Sequence, residues 1–104
     1  MIIKEALAEL AELAVTASPV VKLMHTGIAF NVIVLAFKKD MILKEHKSIV
    51  PTKLIVFDGK IKFASTDLQK IIDKYDELEI PLEKIYSLEA LEDALCLLIQ
   101  GYRN

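Results

Sequence analysis

Asp40-Met41-Ile42-Leu43-Lys44-Glu45-His46-Lys47-Ser48-Ile49-Val50-Pro51-Thr52-Lys53-Leu54-Ile55-Val56-Phe57-Asp58-Gly59 is the stretch on which the reading of this chain turns. At its end, Asp58-Gly59 is a turn signal between two runs with strand character. Lys53 to Phe57 is β-branched and aromatic, and Lys60-Ile61-Lys62-Phe63 alternates with period two. The expectation is a hairpin with its turn at Asp58-Gly59. Moving back, Pro51 marks a loop or a strand start, and Met41 to His46 reads as a short strand or loop. Lys38-Lys39-Asp40 is a polar turn. Before it, Ile28 to Phe37 is rich in β-branched and aromatic residues, which predicts a buried strand. Gly27 separates it from the extended run Val20 to His25.

Further out the signals change. Residues 2–15 predict a helix, with Leu7, Leu10, Ala11 and Ala14 on one stripe and Glu5, Glu9 and Glu12 elsewhere. Ser18-Pro19 stops it, because proline disfavours the helical region in the preceding residue. Toward the C-terminus two readings stay open. Leu68, Ile71, Ile72, Tyr75 and Leu78 fall at helical spacing, as do Leu88, Leu91, Leu95 and Leu98. Propensity alone draws helices at 67–78 and 88–99 and an α+β fold. The alternative is a set of short strands, with turns at Asp67, Asp76 and Glu92-Asp93 and a strand ending at Ile80-Pro81.

The whole chain has 104 residues, 54% of them apolar, and a formal net charge of −2. That suits one domain spanning 1–104 with a core of its own. A lone Cys96 within Ala94 to Ile99 excludes an internal disulfide and predicts a buried, inert thiol, as expected in a reducing cytoplasm. The longest apolar run, Ile28 to Phe37, is interrupted by Asn31 and is about half the length of a membrane helix. Charge is uneven: residues 38–62 carry +4 and residues 67–93 carry −6. With Arg103 the sole arginine, this predicts two solvated, mutually attracting faces and no nucleic-acid partner.

Residues 40–59 keep the spacing of the first motif of the cupin superfamily: Gly, His, His, Glu and Gly. Asp40, His46, Ser48, Thr52 and Gly59 occupy those positions, so only His46 and Gly59 keep the residue type. The second motif, placed on Pro81, puts Tyr75 and Glu83 at its two Gly positions, Tyr86 at its His and Ala90 at its Asn. The chain therefore resembles a small single-domain cupin over roughly residues 20–100. The resemblance implies an all-β fold, a double-stranded β-helix or jelly-roll barrel (20–100) with an N-terminal α-helix (1–17). It also implies a homodimer.

Cupin enzymes of this type hold one divalent metal on two His, one Glu and a further His. Here the corresponding set is His46, Ser48, Thr52 and Tyr86. Hydroxyls of Ser and Thr are poor ligands for such ions, and a phenolate suits ferric iron. The expectation is no metal and no cofactor. His25 would join the set only if its strand faced inward, and Glu45 should point away from His46. The plain reading of His46 is a mouth residue hydrogen-bonded to Tyr86 or Thr52. Tyr75 and Tyr102 should pack with their hydroxyls at the surface, and Lys84 is a turn lysine able to meet an anion.

The leading expectation is a metal-free barrel in which His46, Ser48, Thr52 and Tyr86 bind a small molecule in a ligand-binding or regulatory role. A second is an isomerase or epimerase of sugar derivatives with His46 as base and Tyr86 as acid, a pairing that metal-independent cupin epimerases use. A third is an α+β interaction domain.

Overall fold

The computed structural model describes residues 1–101; Tyr102 and Arg103 lie outside the described residues. The chain forms α1 (Ile2–Ala11) and nine strands: β1 (Val20–His25), β2 (Asn31–Phe37), β3 (Ile42–Lys47), β4 (Thr52–Asp58), β5 (Lys60–Ser65), β6 (Gln69–Asp73), β7 (Glu77–Ile80), β8 (Ile85–Ala90) and β9 (Ala94–Gln100). They make two antiparallel sheets, ordered β1-β2-β9-β4-β7 and β3-β8-β5-β6. The all-β reading holds, and the α+β alternative is overturned: 67–78 and 88–99 are strands β6 to β9 and their turns.

Burial explains why helical spacing loses there. In β8 the alternation Tyr86, Leu88, Ala90 turns inward, and in β9 Ala94, Cys96 and Leu98 do the same. Along 68–78 only Ile72 is fully buried, while Leu68, Ile71 and Tyr75 are exposed. A helix stripe would have buried them together.

The Asp58-Gly59 hairpin is also overturned. β4 pairs with β7 and β9, whereas β5 pairs with β6 and β8, so Asp58-Gly59 is a corner at which the chain changes sheets. A register shift between Val56 and Asp58 bends β4 into it. Gly59 has φ 83°, and a Cβ there would fall 2.1 Å from the Asp93 carbonyl oxygen. The corner is thus clamped by the β8–β9 turn, whose Leu91 N–H donates to the Lys60 carbonyl at 2.9 Å.

The core lies between the sheets. Leu35, Cys96, Val56, Leu54 and Leu98 face Ile61, Phe63, Ile72, Leu88 and Leu43. Burying such side chains contributes about 1.5–3 kcal/mol each before entropy is counted. On the outer side, Ala6 and Leu10 of α1 cover Val20, Val34 and Ala36.

The helix is shorter than the 2–15 expected, and its buried stripe is different: Leu10 is shared, but Leu7 is exposed and Ala6 is buried. Its end is tightened by Glu12 N–H to Glu9 and Leu13 N–H to Leu10 carbonyl bonds. The Lys38 ammonium then donates to the Ala11 and Leu13 carbonyls, where a cation is favoured by the helix dipole. β2 begins at Asn31, three residues later than the expected Ile28.

The two charge blocks do attract each other. Lys53–Glu77, Lys60–Asp73 and Lys60–Glu92 join the basic segment to the acidic one. These are solvated pairs, each worth under about 1 kcal/mol.

Candidate functional site

β3 is irregular, and the irregularity decides which side chain faces the barrel. Leu43 pairs with Leu88 but His46 pairs with Tyr86, so β3 carries one extra residue in between. Glu45 takes up the extra residue with φ 43°. In an unbroken strand Leu43 and His46 would face opposite sides. The bulge returns His46 to the face of Leu43 and Tyr86. Their ring centres are 6.3 Å apart, and Phe63 stacks on the other side of Tyr86 at 5.4 Å.

His46 itself is exposed, at the rim. Ser48, two residues on, is buried, and its Oγ has no hydrogen-bond partner among the described residues. Thr52, on β4 of the other sheet, is buried and donates its hydroxyl hydrogen to the Val50 carbonyl at 2.9 Å. All four residues sit at the barrel end where β3 finishes and β4 and β8 begin. Two loops are latched at this end. Glu83 N–H donates to the Ser48 carbonyl at 2.8 Å, and Gly101 N–H to the Pro51 carbonyl at 2.7 Å.

The local chemistry is neutral. Burial pushes the Tyr86 phenol above its ordinary value. The Ser48 hydroxyl, near but without full hydrogen-bond geometry, pulls it back by less. Tyr86 therefore stays protonated at neutral pH. His46 makes no hydrogen bond to Tyr86 or Thr52 among the described residues, which corrects the plain reading. His25 is exposed and stacks on Phe30 at 4.8 Å. Lys84 is engaged by Asp67 at 2.5 Å. Tyr75 is exposed beneath the Lys74 ammonium, 5.1 Å from its ring centre.

A divalent metal does not fit this donor set. It offers one imidazole, two neutral hydroxyls and a phenol whose proton is held by burial. Among the described residues no three His, Cys, Asp or Glu side chains gather as a metal would need.

Two features escaped the sequence. A cleft of about 510 Å³ lies between the α1–β1 linker and β3, lined by Val15 to Ser18 and by Asp40, Ile42, Lys44 and His46. His46 thus borders both this cleft and Tyr86. No motif joins residues 15–18 to 40–46, so only the fold reveals it. The second feature is backbone shape. Asp40, Gly59, Tyr75 and Glu83 all have positive φ, at 76°, 83°, 71° and 58°. These are the four positions where the two motifs call for glycine. Three of the four hold another residue in this chain, yet the backbone is left-handed at all four. This supports the spacing that places Tyr86 opposite His46.

No family model matches the chain, and no curated protein matches it. Solved structures do. A cupin superfamily protein from Desulfitobacterium hafniense superposes with a TM-score of 0.76 at 16% identity, covering 94% of this chain and 89% of that one. An RmlC-like cupin protein from Desulfovibrio desulfuricans gives 0.72 at 21% identity over 83% and 85%. KdgF from Halomonas sp. gives 0.71 at 16% over 88% and 87%. At such identities the likeness is one of architecture: this chain has the cupin fold, in its small form of one barrel with an N-terminal helix.

Proposed function

We propose that this chain binds a small molecule at the His46–Tyr86 end of its barrel, without a metal ion, in a ligand-binding or regulatory role. The buried Ser48 hydroxyl beside Tyr86, without a hydrogen bond of full geometry among the described residues, carries this reading. A polar group left unpaired in a protein interior costs about 1–3 kcal/mol, and a ligand oxygen would recover part of that. The first test is metal analysis of protein purified without chelator. Well under one iron, manganese, nickel or zinc per chain is expected, and a stoichiometric metal would overturn the metal-free reading. Native mass spectrometry of the same material looks for a retained host metabolite. A His46→Ala variant that binds every ligand as the parent does would remove His46 from the site.

A second reading, an isomerase or epimerase with His46 as base and Tyr86 as acid, is favoured by their direct pairing across β3 and β8. Incubation with keto-sugar derivatives in D2O tests it. Failure to incorporate solvent deuterium at the carbon beside the carbonyl ends that reading.

The outer face of the five-stranded sheet beyond α1 carries a half-buried apolar row: Val32, Ile55, Leu95, Leu97 and Ile99. A homodimer that covers this row is the natural use of it. Light scattering at the mass of two chains supports it, and Leu97→Glu should restore the single-chain mass. The described residues hold no helix long and apolar enough to cross a membrane, and the fully buried Cys96 thiol is at ease in a reducing cytoplasm.

A further inference from the structure

We propose that the cleft between residues 15–18 and β3 binds a short peptide with free ends, about three residues long, as an added strand on the open edge of β3. This site is separate from the one at Tyr86. It shares only His46 with it, and neither reading rests on the other.

β3 is a terminal strand of the four-stranded sheet, with β8 on one side. Its other edge presents backbone N–H and C=O groups to which an extended chain can bond. The cleft of about 510 Å³ lies along that edge. Leu43 from the inner face of β3 lines it together with Ile42 and Lys44 from the outer face, and Thr16 and Ser18 stand opposite. Such a volume falls within the ~300–1,000 Å³ of small-ligand sites. The bulge at Glu45 breaks the edge. Regular pairing therefore stops at Lys44, which limits the added strand to a few residues.

Charge sets the ends. Asp40 and Lys44 border the same cleft with opposite sign. Extended backbone from one to the other spans on the order of 10 Å at ~3.3 Å per residue, and a tripeptide from its ammonium to its carboxylate spans about the same. Laid parallel to β3, the peptide sets its N-terminal ammonium at Asp40 and its C-terminal carboxylate at Lys44. The Thr16 and Ser18 hydroxyls, each able to donate and accept, face its second edge. Val15, Ala17 and Ile42 supply apolar surface for small side chains. A longer chain would carry its terminal charges past Asp40 and Lys44, and a peptide blocked at either end would lose one of the two ion pairs.

The experiment is an amide-resonance NMR titration of the full chain with trialanine, N-acetyl-trialanine, trialanine amide and 6-aminohexanoate. Trialanine should give saturable shifts at residues 15–18 and 40–46. Each blocked peptide should bind roughly five-fold more weakly, the effect of one exposed ion pair. Asp40→Asn should erase the penalty for the acetyl group and Lys44→Gln the penalty for the amide. Asparagine tolerates the left-handed torsion at 40, and Lys44 is exposed, so both variants should keep the fold. If either does not, the blocked peptides on the parent chain decide. The amino acid keeps both charges but has no peptide groups, so it should also bind at least five-fold more weakly. Equal binding of the blocked peptides would overturn the assignment of the ends, and equal binding of 6-aminohexanoate would overturn the added strand. An absence of saturable shifts would overturn the whole inference. So would shifts at 85–87 without any at 15–18, which would instead favour the site at Tyr86.

Discussion

The two ends of the barrel are built from opposite materials. At one end lie the turns after β2, β6 and β8, with Lys38, Lys39, Asp40, Lys74, Asp76, Glu92 and Asp93, and the Gly59 corner. These turns are fastened. Lys38 ties down the helix end, Lys39 N–H donates to the Asp93 carboxylate at 2.8 Å, and Asp93 closes over Gly59. At the other end the loops expose Ile28, Phe30, Ile49, Val50 and Leu82, and the buried Ser48 hydroxyl has no hydrogen-bond partner among the described residues. One end spends its polar groups on its own backbone. The other leaves a polar group unbonded among the described residues and its hydrocarbon uncovered, which is what the proposed binding role requires of it.

That contrast predicts a large loss from substitution at the fastened end and small effects, some of them gains, at the open end. Gly59→Ala should be the most damaging, because its Cβ meets backbone and its torsion is left-handed. A loss upwards of ~3 kcal/mol is expected in urea unfolding; a loss under about 1 kcal/mol would mean the fastened end yields.

Alkali should come next. Burial raises the Cys96 thiol from 9.0 to about 12 and raises the Tyr86 phenol above 10.0. Both groups hold their protons more tightly folded than unfolded. Stability is therefore full below those ordinary values and declines as pH climbs toward the folded ones. The urea midpoint should fall across that window. Cys96→Ala should remove the part that begins near 9.0, and Tyr86→Phe the part that begins near 10.0.

At the open end, Ser48→Ala should leave stability unchanged or raise it by up to about 1 kcal/mol, since it deletes an unpaired hydroxyl. Thr52→Ala, which loses a real bond to Val50, should cost about 1 kcal/mol. Equal losses for the two would erase the distinction. Of similar size, Glu83→Gly should gain about 0.5–1 kcal/mol, because relief of a left-handed side chain outweighs glycine's entropy. Differential scanning calorimetry resolves a gain of that size as a rise in Tm.

Much of the barrel was legible in spacing. The turns near Asp67, Asp76 and Glu92, the strand end at Ile80 and the extended run Val20–His25 all stand where the sequence places them. What misled was local chemistry with two physical outcomes. Asp58-Gly59 is equally good as a hairpin turn and as a sheet-to-sheet corner. Only the distant Asp93 and Ala94, packed where a Cβ would go, select the corner. The leucine spacing of 88–98 suits a helix until Tyr86, Leu88 and Cys96 find a common interior. At the candidate site the spacing pointed to His46 and Tyr86, which the structure pairs. The bulge at Glu45 that turns His46 inward has no mark in residue type. Nor has the cleft against residues 15–18, because its two walls meet only after the helix docks.

The backbone is left-handed at 40, 59, 75 and 83, and only the second of these is a glycine. Residue type alone therefore conceals these torsions. A search keyed to the sequence separation of such torsions would gather chains of the same architecture that comparison of side chains passes over.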